Sequence, residues 1–525
     1  MTNGIADIQK AGALFVTGSN TTESHPVIGA QIKRAVRKGT KLIVADPRRI
    51  PLAEEADIFL KIKPGTSIAL HNAMMNIIIN EGLQDKEYIK ENTENYEELV
   101  ESLQKYTAEY ASEICGVDAG LIREAAIMYA SAEAASILYC MGITQHTNGT
   151  ETVMSLSNLA LITGNVGKEG AGVNPLRGQN NVQGACDMGA LPNVFTGYQP
   201  VNNAGAREKF EKAWGVELSD NAGLTVTDTF GAIDEDRVKM LYVCGENPMI
   251  SDPDTHHAEK ALKKVFLVVQ DIFLTETAEL ADVVLPAASF AEKDGTFVNT
   301  ERRIQRVRKA VDAPGEAKPD WVIFTELMNR LGYEQHFNNA EEIFEEIRQV
   351  TPQYAGVTYD RISVKGIQWP CPTVDHPGTN VLHMGKPARG AGLLKPVEFV
   401  ESLELGEDEY PLVMTTGRML YQYHTRTMTG KSDGINQMAP ELYAEINPGL
   451  AEEKGIIDGE MVKVTSRRGS VTMKAKITDR VNKEVVFVPF HWDNGANMLT
   501  NADVLDKYCK IPGLKVTGVN IEKAD

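Results

Sequence analysis

Leu14-Phe15-Val16-Thr17-Gly18-Ser19-Asn20 returns late in the chain as Leu241-Tyr242-Val243-Cys244-Gly245-Glu246-Asn247. Each copy is an apolar run that ends in glycine and a small or polar pair. That is the pattern of a buried parallel strand delivering a turn at its carboxyl end. In the first copy a helix-length segment then leads to Leu42-Ile43-Val44-Ala45-Asp46-Pro47-Arg48, and in the second to Leu267-Val268-Val269-Gln270-Asp271-Ile272. A third element matches, Ala56-Asp57-Ile58 against Ala281-Asp282-Val283. Gly18 and Gly245 are offset by 227 residues, while Asp46 and Asp271, like Asp57 and Asp282, are offset by 225. The copies therefore stay in register through three strand-like elements, and the chain carries one α/β site architecture twice.

Glycine at the end of a buried strand lets a backbone approach a ligand closely. A carboxylate at the end of the next strand, Asp46 or Asp271, lies where open α/β sheets place ligand-binding groups, and it is able to accept hydrogen bonds from a ribose hydroxyl or a guanine edge. For a single copy, an ordinary strand-to-helix turn with Asp as an N-cap competes with that reading; duplication favours the ligand. Neither copy is a G-x-G-x-x-G loop or a Walker A loop, which disfavours an ordinary nicotinamide or ATP site. The duplication predicts two similar nucleotide-bearing ligands or one pseudo-symmetric assembly.

The 525 residues provide for three or four domains. A net charge of −19 and a pI near 5.1 argue against nucleic acid or an anionic membrane as a partner. No apolar run approaches the ~18 residues of a membrane-spanning helix, and a soluble, cytoplasmic protein without direct membrane insertion is expected. The six cysteines (Cys115, Cys140, Cys186, Cys244, Cys371 and Cys509) are far apart, so they suggest neither a disulfide framework nor a CxxC metal knot. Cys140 and Cys244 fall in apolar runs, where buried, inert thiols are expected. The histidines show no HExxH-like spacing, and no metal ligand set is recognisable.

Residues 1–175 read as the first α/β domain, including an amphipathic stretch from Ser67 to Glu81 with Ile68, Met74, Met75, Ile77 and Ile78 apolar. A glycine-rich polar segment, Gly167 to Gly189, separates it from a second, incomplete α/β domain at 176–291. Residues 292–384 form the remainder of a small mixed domain, with a helix from Trp321 to Leu331 closing before Gly332. A connection rich in Pro and Gly covers 385–409. Beyond Tyr410 the period becomes two, with Val471, Met473, Ala475 and Ile477 on one face and Thr472, Lys474, Lys476 and Thr478 on the other. That predicts a β-barrel at 410–525.

The stretch from Arg177 to Gly189 packs one guanidinium and four amides (Gln179, Asn180, Asn181, Gln183) among three glycines. Amides suit the edges of a pterin or purine, and arginine offers a planar fork for a carboxylate. This segment, with Gly142-Ile143-Thr144-Gln145, Leu161-Ile162-Thr163-Gly164-Asn165, Gly245-Glu246-Asn247-Pro248 and Gly295 to Arg303, closely resembles the molybdopterin oxidoreductase family, specifically the catalytic subunit of formate dehydrogenase. The resemblance covers essentially the whole chain. It implies two related doubly wound α/β domains and a C-terminal β-barrel cap that together hold a bis-molybdopterin guanine dinucleotide with Mo or W, one guanosine end in each α/β domain.

By match, Arg177 resembles the arginine that holds the formate carboxylate. Gly18, Asn20, Asp46, Arg48 and Gly65 resemble contacts to one dinucleotide, and Gly245, Glu246, Asn247, Gln270, Asp271 and Asp320 contacts to the other. Met141, Gln145, Arg418, Gln422, Tyr423, Asn497 and Lys507 resemble the central pterin cradle. The family's N-terminal cysteine cluster for a [4Fe–4S] centre, and the cysteine or selenocysteine metal ligand followed by histidine, have no counterpart in these 525 residues. The expectation is therefore the downstream part of a selenocysteine-type formate dehydrogenase, N-terminally incomplete, with the ligand in a missing N-terminal portion or an upstream chain, and with little cofactor or activity by itself. Formate and CO2 would be its reactants and an iron–sulfur electron-transfer subunit its partner. A nitrate reductase-like enzyme and a non-catalytic companion subunit of a redox complex stand as the alternatives.

Overall fold

The computed structural model describes residues 1–405 and 408–524. It divides into two compact units, Met1–Gly178 with Ile250–His256 and Val381–Asp525, and Gln179–Met249 with His257–Asn380.

The first unit contains a parallel sheet of β1 (Ala13–Thr17), β2 (Lys41–Ala45), β3 (Ile58–Leu60), β4 (Ala135–Tyr139) and β5 (Gly172–Pro175), in the order β3-β2-β1-β4-β5. Every residue of β1 is buried, as the apolar run requires of a strand covered on both faces. The helices α1 (Pro26–Arg37), α2 (Ser67–Asn80), α3 (Ala119–Ala130) and α4 (Gly149–Ile162) belong to the same unit. In α2 the expected apolar positions are buried, but so are Ala69, Leu70, His71, Asn72 and Ala73. The amphipathic expectation is therefore corrected: α2 packs against α3 and α4 as a core helix with polar residues that bond internally, such as His71 Nδ1 to Ser155 Oγ at 2.8 Å. The first unit ends at Gly178, inside the Gly167–Gly189 segment, while β5 occupies an earlier part of that segment and pairs with β4.

In the second unit, β6 (Met240–Cys244), β7 (Phe266–Asp271) and β8 (Val283–Pro286) form a parallel sheet ordered β8-β7-β6. Leu241 pairs with Leu267 and Val269 with Val284, just as Leu14 pairs with Leu42 and Val44 with Phe59 in the first unit. The duplication read from the sequence is thus a duplication of topology and register. A small antiparallel sheet of β9 (Gly295–Val298), β10 (Arg303–Val307) and β11 (Ile367–Gln368) lies in the same unit, as does α5 (Asp320–Arg330). Cys244 is exposed, against expectation, because among the described residues its strand β6 is the edge of a three-stranded sheet; Cys140 is buried as expected.

The C-terminal strands of the first unit, β12 (Leu412–Gly417), β13 (Tyr443–Ile446), β14 (Met461–Ser466), β15 (Gly469–Ile477), β16 (Val485–Pro489) and β17 (Thr517–Lys523), close a barrel in the order β12-β16-β13-β15-β14-β17. Val471, Met473 and Ala475 of β15 point into its core while Thr472, Lys474 and Lys476 are exposed.

Candidate functional site: a cleft at the ends of the first sheet

The buried strand β1 ends at Gly18, whose φ of +55° strongly favours glycine. A Cβ at Gly18 would stand 2.6 Å from the Gly142 carbonyl carbon, and one at Gly142 2.6 Å from Gly18 Cα. The turns that leave β1 and β4 therefore touch backbone to backbone, joined by a hydrogen bond from Gly142 N to Gly18 O at 3.0 Å.

Between Thr17 and His25 seven buried side-chain polar atoms lack a hydrogen-bond partner: Thr17 Oγ1, Ser19 Oγ, both amide atoms of Asn20, Thr21 Oγ1, Thr22 Oγ1 and His25 Nδ1. Leaving such a group unmet costs about 1–3 kcal/mol, and native structures rarely concentrate them. Ser19 and Asn20 line the cleft, so three of these atoms, Ser19 Oγ and both amide atoms of Asn20, belong to residues at its wall. His25 Nε2 is 2.7 Å from the Arg177 carbonyl oxygen, which only accepts, so Nε2 carries the hydrogen. Burial lowers the His25 pKa, so the neutral ring presents Nδ1 as a bare acceptor.

The cleft encloses about 890 Å³ of empty space, part of it open to solvent. Of the residues expected from sequence, Gly18, Asn20, Asp46, Arg48, Gly65, Met141, Gln145 and Arg418 line it. Burial raises the Asp46 carboxyl to about 6. Asp46 Oδ1 accepts the Arg48 amide at 3.0 Å in a local turn and does not cap a helix, since residues 47–50 are not helical. Arg48 Nε and Nη2 donate to Glu445 Oε2 and Oε1 at 2.6 and 2.8 Å. Arg418 packs against Gly178, where a Cβ would lie 2.7 Å from Nη2, so Arg177-Gly178 stands at the edge of the cleft.

Other expected residues lie elsewhere. Gln422 Nε2 donates to Ala439 O at 3.1 Å and Oε1 accepts from Thr429 Oγ1 at 2.7 Å, so both ends are engaged within its own loop. The Tyr423 backbone amide donates to that same Thr429 hydroxyl at 3.1 Å, and its side chain is exposed. Asn497 Nδ2 donates to the carbonyls of Ile250 and Ser251 at 2.8 and 3.0 Å. Lys507 is exposed and pairs with Glu151 at 2.5 Å.

In the second unit, Gly245 repeats the positive φ at +65°, and its amide donates to Gln270 O at 2.9 Å as that of Gly18 donates to Ala45 O at 3.1 Å. Glu246 lies in the same turn. Asn247, the counterpart of Asn20, is met internally: Oδ1 accepts from Thr277 Oγ1 at 2.7 Å and Nδ2 donates to Glu276 Oε2 at 2.7 Å. Gln270 bridges the Tyr242 hydroxyl and Asp320 Oδ1, at 2.5 and 2.7 Å, and Lys293 pairs with Asp320. Asp271 accepts the Ile272 amide at 2.6 Å, and burial raises its pKa.

The sequence reading missed Lys515, His146, Phe487 and Phe490, all of which line the first cleft. Lys515 Nζ donates to Thr416 O at 2.8 Å and to Thr416 Oγ1 at 3.2 Å. Burial, aided by the Arg418 charge, brings its pKa down to about 7. The available signal was a lysine flanked by Leu514 and Val516 in an apolar run. His146 donates from Nε2 to Gly142 O at 2.9 Å, and burial lowers it to about 4. Lys515 and Arg418 supply cationic character, the amides and hydroxyls supply directed bonds, and Phe487 and Phe490 supply ring faces; the set fits a polyanionic, ring-bearing ligand. Among the described residues no group of three or more His, Cys, Asp or Glu is placed to hold a metal ion, and no helix is long and apolar enough to cross a membrane.

Residues 1–330 match the family Molybdopterin oxidoreductase, and residues 412–518 match the Molydopterin dinucleotide binding domain. The chain is 56% identical to the F420-dependent formate dehydrogenase subunit alpha of Methanocaldococcus jannaschii, over 100% of this chain and 78% of that protein. It is 42% identical to formate dehydrogenase H of Escherichia coli, over 99% of this chain and 74% of that protein. Acetylene Hydratase from Pelobacter acetylenicus shares the fold, with a TM-score of 0.78 at 24% identity over 99% of this chain and 81% of that one. The first unit joins a strand-glycine turn to a closed barrel, and the second unit repeats the turn. The chain belongs to the molybdopterin oxidoreductase family, and it is an enzyme of the type its formate dehydrogenase relatives represent.

Proposed function

We propose that this chain is the cofactor-holding part of a formate dehydrogenase catalytic subunit, which interconverts formate and CO2 by two-electron transfer at Mo or W carried on two molybdopterin guanine dinucleotides. The carrying observation is that Ser19 and Asn20, whose buried side-chain polar atoms have no partner, line one cleft with Lys515 and Arg418. When bound, the cofactor supplies the metal centre that receives the two electrons.

The chain's own residues bind, orient and exclude water. Ser19, Asn20 and the Gly18 backbone meet one dinucleotide, with Lys515 and Arg418 offsetting phosphate charge. Gln145 and Met141 lie on the pterin side. Gly245, Asn247, Gln270, Asp271 and Asp320 form the second guanosine site in their own unit, where the internal hydrogen bonds exchange for ligand bonds. Arg177 fixes the formate carboxylate by a charge-assisted pair, its backbone braced by His25. The [4Fe–4S] centre and the chalcogen metal ligand belong, in this reading, to polypeptide other than these 525 residues, and the electrons pass to an iron–sulfur partner subunit.

The test is steady-state formate oxidation by the holoenzyme with a viologen acceptor. Arg177→Ala lowers kcat/KM for formate about 100-fold or more, the scale of a lost charge-assisted pair, at unchanged pterin content. Near-normal kinetics would remove Arg177 from the substrate role, and no formate turnover by the wild type would remove the function.

A further inference from the structure

Glu445 is a glutamate on a barrel strand whose side chain is fully buried, and it does not itself line the cleft. On β13 and β16 it is the cross-strand partner of Phe487. Together they make a socket for Arg48: the carboxylate takes Nε and Nη2 in the guanidinium plane, and the Phe487 ring lies 4.1 Å from Arg48 Cζ. Both bonds use one edge of the fork, which leaves Nη1 for a ligand of the cleft that Arg48 lines. Lys476 Nζ and Arg480 Nη1 stand 3.4 and 3.7 Å from Glu445 Oε1, so one carboxylate faces three cations.

We propose that Glu445 is a positioning residue: acting through Arg48, it sets the angle at which the free edge of that guanidinium meets the phosphates of a dinucleotide, and so couples barrel closure to cofactor retention. This rests on the reading of the cleft given under the proposed function. An orienting role and a purely electrostatic one have opposite consequences. If the cleft needs only positive charge, neutralising Glu445 adds to it and strengthens the hold on an anion. If Arg48 must be held at one angle, the same change weakens the hold, because a guanidinium released from its socket pays rotamer entropy on every encounter.

The experiment measures release of the pterin dinucleotide from the holoenzyme after dilution, read as the fluorescence of the oxidised pterin, with thermal unfolding recorded alongside. Glu445→Gln is expected to release about tenfold faster than wild type while still folding. Arg48→Ala should release at least as fast, and the double variant no faster than Arg48→Ala. Release from Glu445→Gln that is equal to or slower than wild type overturns the proposal, as does an additive double variant. Should Glu445→Gln fail to fold, Phe487→Leu removes the other wall of the socket; faster release is expected, and unchanged release again overturns it. A wild-type enzyme without pterin, or an Arg48→Ala variant indistinguishable from wild type, would instead bring down the reading of the cleft itself.

Discussion

The carboxylate of Asp57 accepts the backbone amide of Leu42 at 2.9 Å, and 225 residues later Asp282 does the same for Leu267 at 2.8 Å. In both units the third strand is approached by an aspartate that satisfies the amide of the second residue of the second strand. Asp57→Ala and Asp282→Ala should each cost about 1–2 kcal/mol, the loss of a charged acceptor to a backbone amide. Urea unfolding of the two variants checks this. Similar losses support a shared construction, and a cost confined to one would contradict it.

Gly18 and Gly142 are in backbone contact on both sides of the β1–β4 step. Alanine at Gly18 meets both a 2.6 Å clash and an unfavourable positive φ, so Gly18→Ala should destabilise by more than about 2 kcal/mol and lose the one dinucleotide held at its turn, lowering pterin content. Gly39→Ala, also at positive φ but with nothing within 4 Å, supplies the control, with a cost of about 1 kcal/mol and pterin kept. Thermal unfolding and pterin content of the two variants decide it.

Lys515 has a folded pKa near 7 against 10.5 for the free side chain. Between those values the unfolded chain holds one more proton than the folded one, so stability rises with pH across that window, by up to about 1.4 kcal/mol per pH unit. Arg418 nearby lowers this pKa further, Asp46 and Cys140 oppose it, and Asp46 itself titrates near 6, below the window. Urea unfolding of the cofactor-free chain at pH 7.5 and 9 should show this rise, and Lys515→Met should flatten it. An unchanged slope in the variant would show that Lys515 enters the fold charged.

Removing one partner of the Arg48–Glu445 pair leaves a buried charge, so Arg48→Ala should cost about 3 kcal/mol or more, moderated by Lys476 and Arg480 beside the carboxylate. The Arg48→Met, Glu445→Met double variant should recover much of that in thermal unfolding, since no isolated charge remains.

The sequence made the repeat legible because parallel strands buried on both faces write themselves as apolar runs, and because glycine at positive φ cannot be hidden. The alternation of β15 was legible for the same kind of reason: one face of the barrel is packed and the other wet. Local pattern could not show that α2 is enclosed on nearly every side, since enclosure is set by α3, α4 and the sheet. It could not place Lys515 either, whose role depends on Thr416 and Asp46, far apart in sequence. Lys507 looked like the functional lysine near the C-terminus, yet it is exposed beside Glu151, while Lys515 a few residues on is the buried one. Nor could it pair Arg48 with Glu445, which are 397 residues apart.

The duplicated turn is the centre of the account, and the most direct measurement is the nucleotide released from the purified holoenzyme by mild acid. Two equivalents of GMP per chain are predicted, one for each copy of the strand-glycine turn, with release of both abolished only when the turns at Gly18 and Gly245 are both altered. One equivalent, or a nucleotide other than GMP, would contradict the claim that the repeat exists to hold two guanine dinucleotides.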